Sequence, residues 1–429
     1  GPGNPHRDSL PENQIHWRRS QDHLKLFSTL TLWELEDEME MMEERWNSWS
    51  NKRLAAAGVS LFNLNGRMNG RFFGDPIIAF TSDSEGGLPW HGFSHGDIVI
   101  LSRSNPSEKR GMEGIVLDRN RKRLRIVFKD KPEDLRKGRW RLDKGANRVA
   151  HDRMQKALNS FHDEEEEMGT PLRDILLASV HDMEASSSQL PEVGGLKRII
   201  SRIDVSDLPL NETQMKAVEN SLRSRLTVIQ GPPGTGKTHT AVQLVRAWAR
   251  YEMGPAMVCA ESNVAVDNLL EGLLECGVNA VRIGQPVKVR ESLRSATIDA
   301  LVADHPDQEK IRLEKETLEE IQSELKNLRG KEKGLAHRDI NKGWKEVKRL
   351  EKKMAADILD RAQVVCSTCI GAGHDILAKR RFPFVLIDEA TQASEPSTLV
   401  PLVRGARQVI LVGDHRQLPP TVISRRAED

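Results

Sequence analysis

Leu32, Leu35, Met39, Met42, Trp46 and Trp49 step along the chain by three and four residues. That spacing places them on one stripe of a helix, so residues 31–57 are expected to form a charged stalk helix with one side packed. The pattern changes at residue 58. Short apolar segments at 59–64, 72–80, 97–101, 114–118, 124–128 and 140–142 alternate with turn residues, which predicts a small β-barrel over 58–143. Helical spacing returns at 149–161, with Met154, Leu158 and Phe161 on one face. The acidic run at 163–167 reads as solvated surface, and Thr170-Pro171 as the cap and first position of another helix, so 144–190 is expected to be stalk helices. From Leu210 strands and helices alternate, the pattern of a parallel α/β domain over 191–429. Its strands are expected at 226–230, 256–260, 278–283, 362–366, 384–387 and 408–412. A charged insert at about 304–360 carries two stripes: Ile311, Leu318, Ile321, Leu325, Leu328, then Ile340, Trp344, Val347, Met354, Ile358. They predict two helices folding back near residues 330–334.

Composition narrows the class. A chain of 429 residues is long enough for two or three domains with their own cores. Net charge is +1, so any polyanion site must be local. There is no apolar run of about 18 residues and no apolar N-terminal segment, which excludes a helical membrane span and a signal peptide from the expectation. Four cysteines in so long a chain point to a reducing compartment, cytoplasmic and/or nuclear. Cys366 and Cys369 are spaced as Cys-x-x-Cys, but Cys259 and Cys276 do not make a second pair, so all four read as strand and loop residues rather than zinc ligands. Gly1-Pro2-Gly3 reads as a cloning remnant and residues 1–30 as a flexible polar segment.

The chemistry begins at Gly231-Pro232-Pro233-Gly234-Thr235-Gly236-Lys237-Thr238-His239, between the apolar run 226–230 and a helical stretch. Strand, glycine loop and helix in that order form a phosphate-binding loop. The glycines let successive N–H groups turn inward on a phosphate, and the helix N-terminus adds partial positive charge. Lys237 is placed for the β- and γ-phosphates and the Thr238 hydroxyl for Mg²⁺. ATP and Mg²⁺ are therefore the expected ligands. The apolar strand 384–387 runs into Asp388-Glu389. Beside a phosphate loop, Asp388 suits Mg²⁺ and Glu389 suits polarising the attacking water. The run 408–412 leads similarly to Gly413-Asp414-His415-Arg416-Gln417, with Gln417 placed to feel the γ-phosphate.

Asp388-Glu389-Ala-Thr-Gln392-Ala-Ser-Glu395-Pro396 and Gly413-Asp414-His-Arg-Gln417-Leu-Pro419-Pro420 resemble motifs II and III of superfamily 1 helicases. The branch they resemble is that of the nonsense-mediated-decay helicase, and Phe93-Ser-His-Gly-Asp97 is similar to the immunoglobulin S-mu-binding-protein-2 type. Leu210-Asn-Glu-Thr-Gln214 resembles the Q motif, which implies that Gln214 reads adenine. Glu261-Ser262-Asn263-Val-Ala-Val-Asp267 resembles motif Ia, and Cys366-Ser-Thr368-Cys-Ile-Gly371 the threonine-bearing strand-contacting motif. Ala260-Glu261 stands where the family has alanine-proline.

The resemblance implies a RecA-like phosphate-loop domain with a helical insert, preceded by a β-barrel on a helical stalk. It implies 5′→3′ translocation on RNA or DNA, with Lys237, Asp388, Glu389 and Gln417 catalytic. Ser262, Asn263, Thr368, Gly371 and Pro419 would touch the nucleic acid; Ser262 and Asn263 also suit the N-cap of the following helix. In the family a second RecA-like domain with arginine fingers follows motif III. None of it lies within residues 1–429, so the expectation is a monomeric portion that binds ATP and single strands and needs that domain for turnover. The basic stretch Arg119, Arg121, Lys122, Arg123, Arg125, Lys129 and Lys131 reads equally as a phosphate-binding or a solvated face, with Arg121, Arg123 and Arg125 on one side of a strand. Two other readings stay open: a nucleotide-switched nucleic-acid-binding module without motor activity, and a phosphate-loop ATPase acting on proteins, which motif Ia and Thr368 disfavour.

Overall fold

A computed structural model describes residues 12–72, 74–146, 148–163, 204–223, 225–230, 236–390, 393 and 395–413. The chain divides into two compact units. In the first, helix α1 (Glu12–Ser48) starts well before the stalk expected from residue 31. No glycine or proline interrupts 12–48, so the polar segment read as flexible has nothing to break the helix. Its early turns are also held: the His23 ring lies 4.9 Å from His162 of α3 (Arg148–His162) and bonds it nitrogen to nitrogen at 2.8 Å. Of the expected stripe, Met42 is buried, Leu35, Met39, Trp46 and Trp49 are half-buried, and Leu32 is exposed. The second stalk helix expected around residue 170 lies outside the described residues. A short helix, α2 (Asn51–Ala56), follows α1, capped by the Ser50 hydroxyl, which accepts from the Arg53 amide at 3.2 Å.

Six antiparallel strands close a barrel in the order β1-β2-β5-β4-β3-β6. They are β1 (Ser60–Phe72), β2 (Asp75–Thr81), β3 (Ile98–Ser102), β4 (Met112–Arg119), β5 (Arg123–Phe128) and β6 (Trp140–Lys144). Alternate residues such as Leu124, Ile126 and Phe128 fill the interior with Leu64, Phe80, Val99, Val116 and Leu142. β1 extends eight residues past its expected end at 64. Residues 65–71 are polar apart from Met68 and contain two glycines, a turn signature by composition; here Asn65 to Met68, and again Arg71, pair with β2 across a bulge.

The second unit holds a six-stranded parallel sheet in the order β7-β12-β11-β8-β10-β9. Its strands are β7 (Leu226–Gln230), β8 (Ala256–Ala260), β9 (Ala280–Arg282), β10 (Val364–Thr368), β11 (Phe384–Asp388) and β12 (Gln408–Gly413). β8 and β11 are buried at every position, as strands covered on both faces must be. Helices α4 (Glu212–Arg223), α5 (Lys237–Arg250), α6 (Asn263–Glu275) and α7 (Ile298–Ala303) connect them. Trp248 of α5 stacks on Phe384 of β11 with ring centres 4.5 Å apart.

The insert is a hairpin of α8 (Gln308–Glu324) and α9 (Gly330–Arg361). Its seam joins Ile311, Leu318, Ile340, Val347 and Met354, but Trp344 of the expected stripe is exposed. Gly343 faces α8 instead: a Cβ there would sit 2.3 Å from Leu318, so the helices approach through a residue that a hydrophobic pattern cannot register.

Candidate nucleotide and nucleic-acid site

All strands of the sheet run parallel, so their carboxyl ends share one edge. β7 ends at Gln230, and the chain is described again from Gly236; Gly231, Pro232, Pro233, Gly234 and Thr235 lie outside the described residues, as do Gln417 and Pro419. Gly236 caps α5 in the left-handed region, at φ 75°. Its carbonyl receives the Thr240 amide at 2.9 Å and the Thr240 hydroxyl at 3.0 Å. A side chain at this position would be strained by its φ and would place a Cβ 2.8 Å from Gln214 Nε2.

Gln214 therefore stands against the end of the phosphate loop. Its orientation comes from the local sequence. Asn211 Oδ1 accepts from the Gln214 amide at 2.8 Å, and Gln214 Oε1 accepts from the Asn211 amide at 3.1 Å, a reciprocal capping box at the start of α4. With its oxygen engaged, the amide nitrogen is the atom turned towards Gly236. His239 also ties this segment to α5, through a 2.7 Å bond between its Nε2 and the Pro209 carbonyl. Lys237 is half-buried, while Thr238 is exposed in the first turn of α5.

Across from α5, β11 ends in Asp388, which is 9% exposed. Burial pushes its carboxyl above the ordinary range; the Glu389 amide, donating to Asp388 Oδ1 at 2.8 Å, and the Lys237 charge pull the other way, while the Glu389 charge adds to the rise. Lys237 and Asp388 are thus brought within electrostatic reach of each other. Glu389 has φ 55°, unusual for a side chain with a Cβ.

The segment after β8 meets Glu389. Its Oε1 accepts from the Ser262 amide at 3.0 Å and from the Ser262 hydroxyl at 2.8 Å. The same hydroxyl accepts from the Ala265 amide at 3.2 Å and caps α6. Neither contact has a signature in spacing, because they join residues 127 apart in the chain.

Asn263 is engaged elsewhere. Its Oδ1 accepts from Nη2 of Arg282 at 2.8 Å. Arg282 is 1% exposed, donates from Nη1 to the Ile283 carbonyl at 2.7 Å, and reaches Asp267 through Nε at 3.4 Å. Burial holds this guanidinium below its ordinary pKa, partly offset by Asp267. A buried arginine in a three-residue strand has no signal in a hydrophobic pattern.

Thr368 closes β10, and its hydroxyl accepts from the Gly371 amide at 3.0 Å. Cys259 and Cys366 lie in the sheet core, where burial pushes both thiols up to about 12; Cys369, beside them in the chain, is pushed well up for the same reason.

In the barrel, Arg123 and Arg125 do share the outward side of β5, but Arg121 precedes the strand and donates to the Gly86 carbonyl at 3.2 Å. Arg125 pairs with Asp118, with Nε at 2.8 Å, and this hydrogen-bonded pair holds the Asp118 carboxyl low. Two of the three arginines are thus occupied within the barrel.

The comparisons agree with this layout. An AAA domain family model matches residues 209–425, and a model of the helicase SMUBP-2/HCS1 1B domain matches 26–146. DNA-binding protein SMUBP-2 of Mus musculus is 33% identical over 415 residues, 93% of this chain and 40% of its own length. DNA polymerase alpha-associated DNA helicase A of Schizosaccharomyces pombe is 33% identical over 390 residues, 87% of this chain and 57% of its own. ATP-dependent helicase upf1 of the same yeast is 32% identical over 437 residues, 98% of this chain and 43% of its own. The chain thus spans between 40% and 57% of the length of these relatives. Barrel, parallel sheet, paired acids and matches together assign it: the chain belongs to the superfamily 1 helicase family, in the branch of SMUBP-2 and UPF1.

Proposed function

We propose that this protein binds ATP with Mg²⁺ and single-stranded RNA or DNA, and serves as the ATP-hydrolysing part of a 5′→3′ translocase. The observation that carries the reading is Asp388-Glu389 at the end of β11, with Glu389 bonded to the motif Ia segment and Asp388 within electrostatic reach of Lys237. The donor set suits Mg²⁺: a buried carboxylate that is costly to ionise without a cation, and an exposed threonine hydroxyl on the first turn of α5. Asp388 and Thr238 would hold that ion, which would neutralise charge on the phosphate oxygens. Lys237 would place its ammonium on the β- and γ-phosphates, and Gln214 would present its amide to the base. Glu389 would take the proton of the attacking water as its oxygen bonds the γ-phosphorus and the β–γ bridge breaks, leaving ADP and phosphate. Gln417 and Pro419 are assigned by their motif alone.

On the strand side, Thr368, Gly371 and the amides near Ser262 would contact sugar and phosphate without reading bases. The bonds made by Asn263 favour a supporting role for it instead. A single-chain enzyme working in cytoplasm and/or nucleus fits this assignment; no helix among the described residues is long and apolar enough to cross a membrane. The proposed layout is a barrel over 58–143, stalk segments at 31–57 and 144–190, and the ATPase domain from 191 with its insert at about 304–360.

The test is ATP affinity by calorimetry on this chain, then phosphate release with and without a single-stranded homopolymer once the second RecA-like domain of the family is joined to it. Mg²⁺-dependent binding that Lys237→Ala weakens, with strand-stimulated release, is the expected result. Equal ATP affinity for wild type and Lys237→Ala would remove the nucleotide site. Nucleotide and strand binding with no release would instead leave a nucleotide-switched binding module.

A further inference from the structure

We infer that Ser262 is a switch on Glu389, restraining the hydrolytic carboxylate until nucleic acid takes the Ser262 donors. The inference rests on the proposed function, in which Glu389 accepts the water proton. Ser262 gives its amide and its hydroxyl proton to one atom, Glu389 Oε1, at 3.0 and 2.8 Å. A serine hydroxyl has a single proton, and its oxygen here also receives the Ala265 amide at 3.2 Å. The proton is fully committed to Glu389. These donors stand at the N-terminus of the thirteen-residue helix α6, whose partial positive charge adds to their hold on a carboxylate.

The backbone of Glu389 records the same restraint. Its φ of 55° places a residue with a Cβ in the left-handed region. Such a conformation persists where surrounding bonds over-determine it. Here Asp388 Oδ1 fixes the Glu389 amide at 2.8 Å and Ser262 fixes the side chain. Both donors belong to Ser262, so while these bonds stand the carboxylate is held against the start of α6. The donors, an amide and a hydroxyl entering a helix N-terminus, are also the groups that bind a phosphate. A strand phosphate and Glu389 therefore compete for one set of N–H and O–H groups. Strand binding would release the base, and hydrolysis would follow the strand.

The experiment measures kcat and KM for ATP, with and without saturating poly(U) or poly(dT), for wild type, Ser262→Ala, Ser262→Gly and Ser262→Thr, each joined to the second RecA-like domain that the family carries after motif III. Glycine caps a helix nearly as well as serine, so Ser262→Gly removes the hydroxyl donor, leaving the amide, with little loss of the cap. The expected result is a strand-free kcat raised about tenfold in Ala and Gly, about 1.4 kcal/mol of barrier. KM for ATP should hold, and the ratio of strand-stimulated to strand-free kcat should fall towards one. Ser262→Thr, which keeps the hydroxyl, should restore the ratio. Loss of the cap alone predicts the reverse, a lower melting temperature with unchanged or reduced kcat in both conditions. A strand-free kcat that falls, or a stimulation ratio that survives both Ala and Gly, overturns the switch while leaving Glu389 as base. A wild type with no strand-stimulated turnover overturns the function beneath it, and the switch with it.

Discussion

Ser262 and Asn263 are neighbours in one motif, yet their side chains have different jobs, and stability measurements separate them. Asn263→Ala removes the acceptor on Nη2 of Arg282, a guanidinium only 1% exposed. A hydrogen bond to a charged group contributes about 1.5–3 kcal/mol, so the variant should lose that much. Asp267→Ala goes further. It takes away the only carboxylate bonded to Arg282 among the described residues and the acceptor of the Arg290 amide at 3.0 Å. Breaking a buried pair by removing one partner costs about 3–5 kcal/mol. A folded unit of this size shifts its midpoint by about 2–4 °C per kcal/mol, so Asn263→Ala should melt about 3–12 °C lower and Asp267→Ala lower still. Thermal unfolding followed by circular dichroism measures this, with strand affinity taken well below both midpoints. Affinity there should change less than about twofold for Asn263→Ala, under 0.5 kcal/mol. The reasoning is refuted if Asn263→Ala melts within about 1 °C of wild type while strand affinity drops about tenfold. Asn263 would then be a strand ligand, and Arg282 would need no third partner.

Two other outcomes follow from the acid pair. Glu389→Gln keeps the size and hydrogen-bonding capacity of the side chain while deleting its charge. With the second RecA-like domain joined, ATP affinity should be preserved and strand-stimulated phosphate release lost; turnover within about twofold of wild type would remove Glu389 from the role of base. Asp388 has a raised carboxyl in the folded protein, so ionising it costs stability. That cost is absent below the ordinary carboxylate range, where Asp388 is protonated folded or unfolded, and grows as pH rises through the folded value. Without nucleotide and in EDTA, Asp388→Asn should therefore unfold at higher denaturant than wild type at pH 7, with the gain vanishing near about pH 3. A gain of equal size at both pH values would sever it from ionisation.

The elements that sequence displayed best are those whose burial is periodic or complete. β8 and β11 are buried at every position and read directly as apolar runs. The barrel strands were found wherever inward residues alternate, as along β5. What stayed hidden has polar sequence but ordered backbone. The outer part of β1 is a ribbon held by pairing with β2, and α1 is helical from Glu12 because nothing interrupts it. At the site, Gln214 stands against Gly236, and Asp388 lies within electrostatic reach of Lys237. The bonds from Ser262 to Glu389 and from Asn263 to Arg282 could not be read, since each depends on which strands become neighbours.

Under the proposed function, that neighbour relation is also what would couple nucleotide and strand chemistry. Asp388 pairs in register with Ala260, and Ala260 with Thr368. β8 alone separates the acid-bearing strand from the threonine-bearing one. At about 4.8 Å per strand, the ends of β11 and β10 stand roughly 10 Å apart. The segment leaving β8 lies between them and carries Ser262, and the Cys369 amide after Thr368 bonds the Ala260 carbonyl at 3.0 Å. No long path through the domain is required to connect the two sides. A displacement of one hydroxyl and one amide at the end of a single strand is felt by the carboxylate on the next.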